Sequence, residues 1–443
     1  MRQTLINQLY KITKPQLLSN LRELEDIQWH SRKDVELLQQ QHLQRLLDYV
    51  NIHVPYYRDL FKKIGFHPQD YAKNPDNFQK IPLLTKQTIR QNRSLLLTSE
   101  AARLKTLSEK VTGGTTGEPT IFLQDKMYRD YNNALDYYMA SWSGWQLGQP
   151  QFWILARMPV HTGLDNKLYQ TKNWLARRFE SDAFLMTDES INRFVAQMEA
   201  HPGGFMQCYV SVGYKIAQFL EKSRYKSNLR AVYLTSEPLF DYQRKFMEQV
   251  YACPIFEWYG SNETGDVACE CPEHNGLHVI TRNSLVEVLK DGQPVPDGEE
   301  GDLVITCLTN FAMPLIRYKI EDLGTKSTKE CPCGRGLPLL EVIGGRKVDL
   351  FKTRAGHTVY GMFANGVVTE LGSVKQFQVI QKTLDLVIFK IISDTPLSEQ
   401  KLKTVETFTK DALGDNVTVQ FEFVDELPKT ISGKHRHLIS EVE

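Results

Sequence analysis

The chain has no long hydrophobic run and no surplus of charge. Nowhere do about 18 apolar residues stand together, as a membrane helix requires. The opening MRQTLINQLYKITKP holds no apolar stretch of signal-peptide length. No membrane span and a cytoplasmic location are therefore expected. Lys plus Arg equals Asp plus Glu at 53 each, so nothing in the net charge recommends nucleic acid as a partner, and a small molecule fits better. Cysteine is also scarce: seven in 443 residues are too few and too clustered for a secreted disulfide scaffold, which points to reduced thiols or a metal site.

What is present suits an ordinary packed enzyme. A length of 443 residues allows two or three domains, and an apolar fraction of 41% is that of a normal core. Leu17, Leu21 and Leu24, then Leu43, Leu46, Leu47 and Val50, recur at helical spacing, so the chain opens with amphipathic helices that pad a sheet. From 151 to 260, short apolar runs such as FWILARM, FMQCYV and AVYLTSE alternate with helix-like stretches, the pattern of a mainly parallel sheet with covering helices. Between 277 and 309, strands joined by DGQPVPDGEEGD read as antiparallel. From about 346 the composition becomes that of a small α+β unit: a hairpin in VKQFQVIQKTLDLVIFKII, a helix near 398 to 413 and the strand NVTVQFEFV. The expected fold is α/β, a large N-terminal domain (1–345) of mixed and mainly parallel sheets flanked by helices, followed by a small α+β domain (346–443). The boundary falls at Gly345 to Asp349.

Two segments far apart carry phosphate chemistry. In VTGGTTGEPT, Gly113, Gly114 and Gly117 allow backbone N–H groups to turn inward, and Thr112, Thr115 and Thr116 add hydroxyls, so the loop can wrap phosphate oxygens. It is not a kinase-type P-loop, because Glu118 stands where GxxxxGK[ST] needs lysine. Three hundred residues later LPKTISGKHR supplies Lys434, a mobile positive charge.

The pair resembles the phosphate loop and catalytic-lysine motif of the AMP-forming adenylating enzymes, most closely the phenylacetate-coenzyme A ligase-like branch, from about VPYYRDLF at 54 to 61 through Lys434. That resemblance implies the remaining roles. YGSNETG is similar to the branch's YGxTE motif, with Tyr259, Gly260 and Thr264 at the nucleotide and Glu263 as the magnesium ligand; Asn262 replaces the usual hydroxyl residue. TSEPL matches the adenine-contacting segment through Ser236, Glu237 and Pro238. IRYKIEDLG is similar to IRYRTRD, which makes Asp322 the acceptor of the ribose hydroxyls, a task suited to a two-oxygen carboxylate. VIGGRKVDLF is similar to GRxDD: Arg346 matches the arginine, Val348 departs from the first acidic position, and Asp349 takes the hinge role. The small domain is then expected to serve twice, delivering Lys434 for adenylation and presenting the FKTRAGHTVY hairpin, with Gly356, for thioester formation.

The cysteines form half-sites. Cys271 and His278 in one segment and Cys331 and Cys333 in ECPCGRG match, residue by residue, a zinc set held by some ligases of the branch; four protein ligands make it structural. The rival reading is four reduced thiols and a histidine. Cys208, Cys253 and Cys307 read as core residues in apolar strands.

The resemblance implies ATP- and Mg²⁺-dependent adenylation of a carboxylic acid, aryl or arylacetic, and transfer to coenzyme A with release of AMP and pyrophosphate. Tyr137, Tyr138, Trp142, Trp145 and Trp153 are equally candidate pocket and candidate core. An amine, hydroxyl or carrier-protein acceptor is the second reading, and a catalytically silent nucleotide- and zinc-binding protein the third. A homodimer is compatible with the chain, which does not fix its oligomeric state.

Overall fold

Helix-capping chemistry and apolar spacing begin the structure, a computed structural model that describes residues 10–103, 107–112, 120–155, 163–183, 187–223, 225–236, 239, 241–343, 350–356, 358–360, 374–393, 395–427 and 438–442. The Ser31 side chain accepts from the Asp34 N–H and starts the helix Arg32–His53, which buries Leu43, Leu46, Leu47 and Val50. That stripe packs into a core with Leu303, Ile305 and Tyr318, as a sheet-covering helix should. The preceding helix Pro15–Ile27 instead packs on the helix Lys126–Ser141, adding a second layer rather than touching the sheet first.

The chain divides into two compact units, the smaller of which takes the residues from Gly345 onward. The expected crossover at Gly345 to Asp349, with Arg346, lies outside the described residues.

In the larger unit, β1 (Ser108–Thr112) and β2 (Thr120–Gln124) pair antiparallel with Thr112 opposite Thr120. The ends of the Gly/Thr loop are thus held together, while residues 113–119 lie outside the described set. The main sheet comprises β3 (Gln151–Leu155), β4 (Arg178–Asp182), β5 (Phe205–Tyr209), β6 (Ala231–Thr235), β7 (Ile255–Ser261), β8 (Gly265–Glu270), β9 (Leu277–Val279), β10 (Ser284–Lys290), β11 (Gln293–Pro294), β12 (Glu300–Cys307), β13 (Tyr318–Lys326) and β14 (Leu339–Ile343). Their spatial order is β11-β10-β12-β13-β14-β9-β8-β7-β6-β5-β3-β4. Pairing is parallel from β3 through β5 and β6 to β7, where the strands alternate with helices. From β7 through β8 and β9 it turns antiparallel, because short connections replace the crossover helices. The two patterns read in the sequence therefore belong to one mixed sheet.

Cys208 in β5 and Cys307 in β12 are fully buried. Cys253 is a correction: it lies in the turn between the helix Asp241–Tyr251 and β7, not in a strand, although burial still pushes its thiol up to about 12. Tyr137, Tyr138, Trp142, Trp145 and Trp153 all belong to one buried cluster. Tyr137 stacks on Trp145 at 5.5 Å and Trp145 meets Phe205 edge-on at 5.2 Å, so these rings are core.

The smaller unit holds the hairpin β15 (Leu350–Lys352) with β16 (Thr358–Tyr360), turned at Gly356. Its sheet has the order β19-β18-β17-β20, from β17 (Val374–Thr383), β18 (Leu386–Ser393), β19 (Thr418–Phe423) and β20 (Leu438–Ser440). Val405 and Leu413 of the helix Glu399–Leu413 share its core with Val379, Val387, Phe389 and Ile391.

Candidate active site and metal centre

The turn between β7 and β8 builds the first half of the site. Ser261 Oγ accepts from the Glu263 N–H (3.2 Å) and the Thr264 N–H (3.1 Å) and lies 3.0 Å from Thr264 Oγ1. Such a hydroxyl-anchored turn satisfies backbone donors that the hairpin cannot pair. Thr264 is fully buried, its hydroxyl against Ser261, so in this structure it serves the turn. Asn262 is exposed, and its carbonyl accepts from Gln124 Nε2 at 3.1 Å, tying the turn to the end of β2 farthest from the Gly/Thr loop. Gly260 is dictated by packing: a Cβ there would stand 2.8 Å from the Gly265 carbonyl oxygen.

Glu263 is only 6% exposed, with the Tyr318 hydroxyl donating to Oε1 at 3.3 Å. A solvated loop carboxylate is thereby ruled out. One residue-pair away, the Tyr259 hydroxyl donates to Asp322 Oδ2 at 2.9 Å. Burial, then the Asp322 and Glu263 charges, hold that phenol well above its usual range, so it stays a donor. The structure thus brings Tyr259, Gly260, Glu263, Thr264 and Asp322 together where the end of β7 and the turn after it meet the middle of β13. Ser236, just past β6, adopts φ 68°, a left-handed conformation costly for a non-glycine residue and frequent at ligand sites. Glu237, Pro238, Arg346, Asp349, Lys434 and Gly113 to Gly117 lie outside the described residues, and Thr112 ends β1. Sequence reasoning missed Tyr318, which sits inside IRYKIED but whose hydroxyl direction no motif reveals.

A second cluster lies where β8, β9 and β14 adjoin. Cys271 follows β8, His278 lies in β9 opposite Leu339 of β14, and Cys331 and Cys333 precede β14, so sheet pairing closes the two half-sites. Their ligand atoms all lie within 4.8 Å of one another. Cys271 Sγ is 3.5 Å from Cys331 Sγ, and Cys333 Sγ is 3.4 Å from His278 Nε2. Tetrahedral zinc with bonds of about 2.3 Å to sulfur and 2.0–2.1 Å to nitrogen needs edges of about 3.8 and 3.6 Å, so the four residues fit such an ion. His278 Nδ1 faces the Leu337 carbonyl at 3.4 Å, which leaves Nε2 for the metal. Burial lowers its pKa to about 4, keeping the imidazole neutral as a ligand must be. Burial also raises the thiols of Cys271, to about 12, and of Cys331. At Cys333 burial pushes the same way, but the Arg335 N–H at 3.5 Å and further hydrogen bonds outweigh it and favour thiolate.

The same loop grips the N-terminal helices. The Arg335 guanidinium lies 4.9 Å from the Trp29 ring centroid and 4.5 Å from that of Trp142, and its Nε donates to Gln28 Oε1 at 2.8 Å. A Cβ at Gly336 would stand 2.1 Å from the His30 carbonyl oxygen, so only glycine permits this approach.

Comparison with known proteins supports the same family. Residues 351–441 match the CapK C-terminal domain. The chain is 22% identical to protein CapK of Staphylococcus aureus, covering 93% of this chain and 90% of that protein. It is 26% identical to phenylacetate-coenzyme A ligase of Thermus thermophilus, covering 82% and 83% of the two chains, and 26% identical to that of Escherichia coli, covering 75% and 76%. In fold it is similar to 2-hydroxyisobutyryl-CoA ligase solved with 2-HIB-AMP and CoA in the thioesterification state, with a TM-score of 0.65, 17% identity and coverage of 94% and 91%. Over most of its length the chain is thus similar in sequence to phenylacetate-coenzyme A ligases, and it shares the fold of 2-hydroxyisobutyryl-CoA ligase.

Proposed function

We propose that the chain activates a carboxylic acid, aryl or arylacetic, with ATP and passes the acyl group to coenzyme A. The observation that carries this reading is the meeting of buried Glu263 with the Tyr259–Asp322 pair beside β1 and β2, whose register ties the ends of the phosphate loop. A carboxylate oxygen attacks the α-phosphorus while the bond to the pyrophosphate oxygen breaks. The thiol of coenzyme A then gives up its proton and attacks the acyl carbon, and AMP leaves.

Each residue has a separate task. Asp322 accepts the ribose hydroxyls, its direction fixed by the Tyr259 hydroxyl. Glu263 holds Mg²⁺, which when bound neutralises charge on the phosphates. Thr112 to Gly117 surround the phosphates; Ser236, Glu237 and Pro238 border the adenine; Arg346 and Asp349 form the crossover. Lys434 places an ammonium by the α-phosphate, a preorganised charge that can contribute several kcal/mol. Cys271, His278, Cys331 and Cys333 hold a structural Zn²⁺.

The acceptor depends on the C-terminal unit, and that unit is the part matched by the CapK domain. An amine, hydroxyl or carrier-protein acceptor is accordingly the second reading. A panel of carboxylic acids in an AMP-release assay, with and without coenzyme A, tests both. Acid-dependent pyrophosphate exchange is expected; its absence with every acid would leave a silent nucleotide binder.

A further inference from the structure

Asp322 does not sit on a regular strand. The pairing of β12 with β13 runs Asp302 to Leu323 and then Val304 to Lys319, so Ile320, Glu321 and Asp322 stand opposite the single residue Leu303. A bulge of this kind bends a strand and re-aims its side chains. Its middle residue, Glu321, has φ 75°, a left-handed conformation that a non-glycine residue keeps only when its surroundings enforce it.

Lys86 meets that residue. Its Nζ lies 3.0 Å from Glu321 Oε2, and the lysine is only 7% exposed. An ammonium so enclosed needs a charged partner to offset its lost hydration. Its backbone is fixed as well. Leu84 bridges Tyr318 in parallel: its N–H donates to the Arg317 carbonyl at 2.9 Å, and its carbonyl accepts from the Lys319 N–H at 2.9 Å. Arg317, itself left-handed at φ 52° and 2% exposed, donates through Nη1 to the Gln79 (2.8 Å) and Ile81 (2.6 Å) carbonyls. The stretch from 79 to 86 is thus bound to β13 on both sides of the bulge's entry.

We propose that Lys86 and Glu321 are positioning residues for the nucleotide: their ion pair holds the left-handed bulge and so fixes the direction in which Asp322 presents its carboxylate to the ribose. The inference rests on the reading of Asp322 as the ribose acceptor. Lys86 acts through Glu321 and touches no reacting atom. A lesion of mere folding would weaken every ligand alike, whereas a misdirected Asp322 loses only what the ribose hydroxyls contribute.

Calorimetric titration with ATP and with 2′,3′-dideoxyATP separates the two, and requires no acid substrate. The wild type is expected to prefer ATP by about tenfold or more, the worth of hydrogen bonds to a charged acceptor. Lys86→Met and Glu321→Gln should each bring that ratio severalfold closer to one while leaving dideoxyATP affinity nearly unchanged. Glu321→Gly, which relieves the backbone conformation but removes the pair, should do the same, and the Lys86→Met/Glu321→Gln double variant should lose no more than either single one. Variants that keep the wild-type ratio, that lose both nucleotides equally, or whose losses add would overturn the proposal. A wild type indifferent to the ribose hydroxyls would overturn the role of Asp322 and this inference together. Discrimination by the wild type without pyrophosphate exchange for any acid would instead defeat only the catalytic reading.

Discussion

Tyr259 and Asp322, 63 residues apart in the chain, meet at 2.9 Å through a phenol hydroxyl and a carboxylate oxygen. The contact joins the end of β7 to the bulge of β13, and Glu263, in the turn that follows β7, faces Tyr318 of the same β13.

That division of labour predicts different lesions. Asp322→Ala should chiefly raise the KM for ATP, losing about 1.5–3 kcal/mol for hydrogen bonds to a charged acceptor. Glu263→Gln should lower kcat and recover partly at high Mg²⁺, because its task is to hold the ion where charge builds. Parallel ATP and Mg²⁺ titrations decide the matter: unaltered ATP dependence in the first variant, or indifference to magnesium in the second, contradicts the nucleotide pose.

Lys434→Ala is expected to abolish adenylate formation while sparing thioester formation from a synthetic acyl adenylate. The lysine serves only the step in which charge develops on the α-phosphate. Wild-type rates in both half-reactions would show that Lys434 is an ordinary surface residue.

Much of the site was legible because short motifs need fixed residue types at fixed spacing. YGSNE marked Glu263 and IRYKIED marked Asp322, and contacts with β13 and from β7 bring the two together: Glu263 meets Tyr318 and Asp322 meets Tyr259. The four zinc candidates were legible as two half-sites, and the pairing of β8, β9 and β14 supplies the closure. Side-chain direction was not legible. The five rings from Tyr137 to Trp153 are core rather than pocket, since ring spacing alone does not distinguish the two, and Cys253 falls in a turn despite its apolar neighbours. Lys86 carried no motif: its burial follows from the Leu84–Tyr318 bridge, a contact over more than two hundred residues.

The metal centre should be stoichiometric and structural. One zinc per chain is expected by elemental analysis of protein purified without chelator, and less than a tenth of an equivalent would sink the assignment. Cys333→Ser should reduce that content and lower Tm by about 5 °C or more, given that 1 kcal/mol moves a chain of this size by roughly 2 °C. Because Arg335, two residues on, lies between Trp29 and Trp142, the loss should also expose Pro15–Ile27 to proteolysis.

A half-buried acid pair gives the stability a defined pH dependence. Asp266 accepts from Trp258 Nε1 at 2.8 Å and abuts Asp136 on the helix Lys126–Ser141. Burial raises the Asp136 carboxyl to about 6, against an opposing pull from Arg178; burial and the Asp136 charge raise Asp266 well above its usual range. For a raised carboxyl the folded state binds more protons than the unfolded one between the two pKa values. Its stabilising contribution is therefore complete at low pH and is lost as pH rises through the folded value. The wild type should lose stability from pH 5 to pH 8 by about 1–3 kcal/mol through this pair. Asp136→Asn removes one titrating member and its repulsion, so it should raise Tm relative to the wild type at pH 8 and change it little at pH 5. Thermal melts of both proteins at the two pH values check this: an equal shift at both, or a variant less stable at pH 8 than at pH 5 by the wild-type margin, would mean that Asp136 and Asp266 do not share a proton in the folded chain.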